Sequence, residues 1–161
     1  MGATRSLAYL RVAVGCLFLI LSSYKVFGTQ FALHGGFQYW INLFLTSGGA
    51  YPFMVPVLKG FVLPHATAIA FLVTCGELAI GVSLLLGIFV RVASAFGVLY
   101  MLTLLFSSNY PGAHAPLWQY FGASLNHLVL ALCFAAFAIT QTSEHIYLPA
   151  LLASRNRPRT R

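Results

Sequence analysis

The chain has 161 residues, of which 60% are apolar and 7% charged, whereas a soluble domain is usually about 45–50% apolar and about 25% charged. Those values exclude a water-soluble globule and exclude disorder, which needs low hydrophobicity. The net charge of +7 does not point to nucleic acid, because Arg155, Arg157, Arg159 and Arg161 crowd the chain's end beside a membrane span, where cations anchor a chain on anionic lipid.

A backbone crossing hydrocarbon must satisfy its own polar groups, and with no alternating ten-residue pattern for a barrel the expectation is an all-α membrane protein. A helix needs about 20 apolar residues to span. The first such stretch runs from Leu7 to Phe27. It is too long for a secretory leader, and Ser22-Ser23-Tyr24-Lys25 is not a small-residue cleavage site. Residues 28–64 follow as an outer segment. Within it Phe37 to Thr46 reads as a short aromatic helix, and Tyr51 to Leu63 is apolar but cut by Pro52 and Pro56, which interrupt helices. The segment is expected to form an aromatic cap over the outer mouth of the bundle.

The second span is expected from His65 to Phe89, the third from Val92 to Phe106 and the fourth from Tyr120 to Thr140. Asn109-Tyr110-Pro111-Gly112 is turn chemistry between the last two. Beyond the fourth, Ile146 to Leu152 reads as interfacial, ahead of a basic tail over 153–161. The whole chain, 1–161, forms one four-helix transmembrane domain. Four spans put both termini on one side, which then holds Arg5, Arg11, Arg91 and the four tail arginines against Lys25 and Lys59 on the other. The positive-inside rule makes the first side cytoplasmic. A bacterial-type inner membrane is the expected location, with the lipid bilayer and other membrane-protein subunits as partners.

Polar residues inside spans face a bundle interior or water. Arg11, Gly15, Phe18, Ser22 and Lys25 share one stripe of the first helix, which predicts that this face packs inward. Glu77 lies near the middle of the second span and needs a partner. Counted from the helix midpoints, Arg11 stands roughly 9 Å and Lys25 roughly 12 Å from its depth, at ~1.5 Å per residue. Arg11 is the expected direct partner. Lys25, Asn126 and His127 lie at similar depth, and with Tyr24, Asn109, Tyr110 and Trp118 they either line an outward polar pocket or serve as interhelical hydrogen-bond glue. Cys16, Cys75 and Cys133 are scattered singly and read as buried small hydrophobes. No His or Cys spacing suggests a metal or haem ligand set, so no cofactor is expected within the chain.

Two stretches carry a family resemblance. The run from Arg11 through Gly15, Phe18 and Leu19 to Lys25 resembles the first helix of the DoxX/DoxD family. The run Gly76-Glu77-Leu-Ala-Ile-Gly81, continuing through Gly87 to Arg91, is similar to that family's next hairpin. Asn126-His127-Leu128 is similar in position but less diagnostic. The Gly-Arg and Asp segment that often follows the last helix in relatives is replaced here by Ile139-Thr-Gln-Thr-Ser-Glu144. The resemblance implies a four-helix bundle and an association with quinone-linked sulfur oxidation, since DoxD is the small membrane subunit of thiosulfate:quinone oxidoreductase.

Two functions follow as expectations. One is a subunit of a quinone-associated, thiosulfate-oxidising membrane assembly, in which Lys25, Glu77 and His127 act on a bound quinone or oxyanion, supported by Arg11, Tyr24, Asn109, Trp118 and Asn126. The other is a structural subunit that stabilises a larger respiratory or photosynthetic complex without catalysis. Quinone would be a substrate rather than a resident cofactor, and the sequence leaves open whether the chain is an enzyme. The charge asymmetry makes a topology prediction. Reporter fusions at Pro111 should read as outside and fusions at Arg91 or Arg161 as cytoplasmic, and an external Arg161 would overturn the orientation.

Overall fold

The protein is described from a computed structural model covering residues 2–27, 31–122 and 125–140. All elements among them are helical: α1 Gly2–Phe27, α2 Gly36–Thr46, α3 Met54–Val57 with a π-helical turn Leu58–Val62, α4 Ala66–Leu86, α5 Val90–Ser108, α6 Leu117–Gly122 and α7 Leu125–Ile139. Among the described residues three helical stretches are long and apolar enough to cross a membrane, Ser6–Phe27, Ala66–Leu86 and Val90–Ser108. The protein is therefore a multi-pass membrane protein in contact with lipid.

The expected fourth span runs from Tyr120 to Thr140. Its described residues are helical, in α6 as far as Gly122 and in α7 from Leu125, and positions 123 and 124 lie outside the described residues. The basic tail over 153–161 and the interfacial stretch Ile146 to Leu152 also lie outside the described residues.

Helix α1 packs along α4, α5 packs along α7, and α4 meets α5 over a shorter line. The predicted stripe of α1 does face inward: Arg11 is fully enclosed, and Phe18 and Ser22 are 1% exposed. Small residues permit the approach, since a Cβ added at Gly15 would lie 3.1 Å from the Gly81 carbonyl oxygen. Phe18 meets Phe134 edge-to-face, with centroids 5.1 Å apart, and joins Leu84, Met101 and Phe137 in the core. Cys16 and Cys75 correct the expectation of buried cysteines, because both are exposed on the outer faces of their helices. In a bilayer that face meets hydrocarbon, which suits a small apolar thiol as well as a core does.

The α4–α5 link is tight. Gly87 ends α4 at φ 76°, a left-handed conformation that favours glycine, and its amide donates to the Ser83 carbonyl at 2.9 Å. A Cβ there would also meet the Arg11 guanidinium at 3.1–3.4 Å. Two constraints therefore meet at one residue.

Segment 31–65 folds over the opposite end. Phe31, Phe37, Ile41 and Leu58 form a second apolar cluster with Ala66 and Ala70 of α4. Pro56 falls in the first turn of α3, where its missing amide is tolerated, and the chain stays helical through the π-turn to Val62. Tyr51 ties the segment down. Its amide donates to the Phe106 carbonyl at 2.9 Å and its hydroxyl to the Tyr120 carbonyl at 3.1 Å. Burial, then the facing Tyr120 and Tyr110, push the Tyr51 phenol above its ordinary pKa, which keeps it a proton donor.

The α5–α7 seam has least slack at Gly97, where an added Cβ would sit 2.5–2.7 Å from the Phe134 ring. Gly97→Ala should lower the thermal midpoint in detergent, since overpacking a core costs about 1–3 kcal/mol. A companion Phe134→Leu change should recover part of that loss. An unchanged midpoint for Gly97→Ala alone would show that the seam yields.

Candidate functional site

Three side chains from three helices converge beneath segment 31–65. Lys25 Nζ of α1 donates to Glu77 Oε1 of α4. Tyr100 Oη of α5 donates to the same carboxylate oxygen. Lys25 also donates to Tyr100 Oη at 3.3 Å, closing a triangle. The ammonium lies 5.1 Å from the Phe31 ring centroid, which adds a cation–π contact from the overlying segment. The Glu77 side chain is 5% exposed and that of Lys25 22%.

The partner of Glu77 is thus Lys25, and the expected direct Arg11–Glu77 pair is corrected. The reason is side-chain direction. A Cα–Cβ bond leans toward its helix's N-terminus. Because α1 and α4 run antiparallel, Lys25 leans toward the middle of the bundle and Glu77 leans toward Lys25. Arg11 leans the other way, to the Gly87 link. Counting Cα heights alone ranks these two cations in the wrong order.

Tyr100 is the participant that the sequence reading missed. Two signals were available. It is an aromatic hydroxyl in mid-span rather than at an interface, where such rings usually sit. It also stands as far beyond the Ile88–Phe89 link as Glu77 stands before it.

His127 sits apart from the triangle. Its Nδ1 is 2.9 Å from Asn109 Oδ1, bridging α7 to the end of α5. On α7 the lean carries His127 away from the bundle's middle, so His127 and Lys25 diverge although their Cα atoms are at similar depth. A single cavity nevertheless touches Lys25, Glu77, Tyr100, Asn126 and His127. The other expected pocket residues lie off its wall. Arg11 is at the far end, Asn109 is joined to His127, and Tyr24 and Trp118 are 63% and 66% exposed on the outside.

The cavity has a volume of about 1070 Å³. Its wall is mostly hydrocarbon: Phe37, Trp40 and Phe44 from α2, Leu72 and Gly76 from α4, Phe96 and Leu99 from α5. Leu72, Phe96 and Leu99 are 63–73% exposed, so the cavity is bordered by side chains that face lipid. Chemically, it offers an apolar slot with a compact polar floor at Lys25, Glu77 and Tyr100 and further polar groups at Asn126 and His127. The floor carries no net charge, because the ammonium and carboxylate cancel.

The family model described as DoxX matches residues 6–109, nearly two thirds of the chain, and the chain belongs to the DoxX family. No curated protein and no solved structure gives a significant match. The matched region holds Lys25, Glu77 and Tyr100 and ends before Asn126 and His127.

The triangle predicts an ordered series of stabilities. Lys25→Met leaves a buried carboxylate without its cation and should cost about 3–5 kcal/mol. Tyr100→Phe removes one hydrogen bond to a charged group and should cost about 1.5–3 kcal/mol. Arg11→Met should leave the Glu77 environment unchanged, read as an unaltered effect of Glu77→Gln in that background. Strong non-additivity between positions 11 and 77 in thermal unfolding would restore the Arg11 pairing.

Proposed function

We propose that this DoxX-family protein is an integral membrane subunit of a redox-linked assembly and that its cavity binds a lipid-soluble quinone. One observation carries the reading: a large apolar cavity that borders the lipid and has a compact polar floor at Lys25, Glu77 and Tyr100. Ligand sites are mostly apolar, of about 300–1,000 Å³, with a few convergent polar groups. An isoprenoid tail fits the hydrocarbon wall, and a head group fits the floor. Thiosulfate fits less well, because Lys25 is already neutralised by Glu77. The subunit is read as four spans, with α7 as the fourth and residues 28–64 as a cap, in a bacterial-type inner membrane with cytoplasmic termini. Electrons enter or leave through a partner chain, since quinone chemistry needs a donor or acceptor that these side chains do not supply. A structural role in a larger complex is the second reading, favoured by the exposed aromatic rings of Tyr39, Phe53 and Phe61.

Gly76 provides the test. It lines the cavity, and an added Cβ there meets nothing within 4 Å. Gly76→Leu should project into the slot and obstruct it without disturbing the triangle, and helix propensity predicts a small gain in stability. Protein purified in mild detergent should yield quinone on solvent extraction, and Gly76→Leu should yield about tenfold less at equal stability. No quinone in either preparation, with partner chains released by Tyr39→Ala or Phe53→Ala, would favour the structural role.

A further inference from the structure

Within the triangle the hydrogen-bonding capacity is spent unevenly. Glu77 Oε1 accepts from both Lys25 and Tyr100. Glu77 Oε2 is buried and has no hydrogen-bond partner among the described residues. Tyr100 Oη donates its one proton to Glu77 and accepts from Lys25. Lys25 has three protons, of which two are committed to Glu77 and Tyr100. The floor therefore keeps one acceptor, Glu77 Oε2, beside one donor, the third proton of Lys25. A buried acceptor left unmatched is unfavourable, and Glu77 forms part of the cavity wall. The last side-chain torsion of Glu77 has a broad, soft profile, so a small turn that keeps Oε1 with Lys25 and Tyr100 would present Oε2 to a head group in the cavity.

We infer that the cavity selects a head group bearing a hydroxyl, one that accepts from Lys25 and donates to Glu77 Oε2. For a quinone carrier this is the reduced form. The oxidised form presents carbonyl oxygens alone, which can accept from Lys25 but leave Oε2 unmatched. The quinol matches both groups with a single oxygen. The inference rests on the quinone reading and adds the redox state that the site prefers. It needs no protonation change within the triangle, because two donors already converge on the carboxylate as an acceptor.

The test is calorimetric titration of the full chain in lipid nanodiscs, with a short-chain benzoquinol kept reduced under anaerobic conditions and with the matching benzoquinone. The quinol should bind about tenfold tighter, the equivalent of 1.4 kcal/mol. Glu77→Gln should reverse the preference. Its amide oxygen takes over the bonds from Lys25 and Tyr100, and its NH₂ turns the remaining acceptor into a donor suited to a carbonyl. Tyr100→Phe, which leaves Oε2 in place, should keep the quinol preference. Equal binding of the two forms by the wild type, or tighter binding of the quinone, overturns the inference while leaving the quinone reading standing. Binding of neither form overturns both. The wild-type comparison decides the matter even where Glu77→Gln does not fold.

Discussion

A carboxylate in hydrocarbon must find a cation, and in this protein that requirement organises three helices and a surface segment. Glu77 draws Lys25 across from α1 and Tyr100 across from α5. Phe31 then covers the ammonium, coupling the segment over 31–65 to the same point. Between transmembrane helices there is no hydrophobic driving force of the aqueous kind, because lipid tails are as apolar as leucine. Specific polar contacts and close packing decide which helices meet. The Gly15–Gly81 approach and the Gly97–Phe134 seat supply the packing. The triangle at Glu77 supplies the polar contact, and it makes the meeting of α4 and α5 specific although their shared line is short.

The two cations of α1 illustrate how orientation partitions similar chemistry. Both lie on one stripe and both lean toward the helix N-terminus. Near the C-terminal end of α1 that lean carries Lys25 inward to an acid. Near the N-terminal end it carries Arg11 outward to the hairpin, where Gly87 gives it room. One helix thus organises the polar floor with one residue and buttresses the tight link with another.

Composition alone made the chain an all-helical membrane protein, and hydropathy placed α1, α4 and α5 within a few residues of their positions, because the bilayer sets both their length and their internal hydrogen bonding. The inward stripe of α1 was legible for the same reason, as was α2 between its glycine pairs. The candidate site was legible in its members more than in its pairings. Glu77 and Lys25 stood out as charges in apolar runs, while Tyr100 blended into an aromatic-rich composition. Pairing depended on which way each side chain leans on antiparallel helices, a vector that residue spacing does not record. His127 shows the same effect, since matched depth with Lys25 did not bring the two together.

The rim of the cavity, with Leu72, Phe96 and Leu99 turned outward, bears on what concentration means for this protein. An apolar ligand reaches such an opening by diffusing within the plane of the bilayer. Occupancy then follows the ligand's mole fraction in the membrane and not its amount per volume of buffer. Diluting a vesicle suspension leaves occupancy unchanged, whereas adding empty lipid or detergent lowers it. The membrane's own composition thereby becomes the setting against which this site is half full.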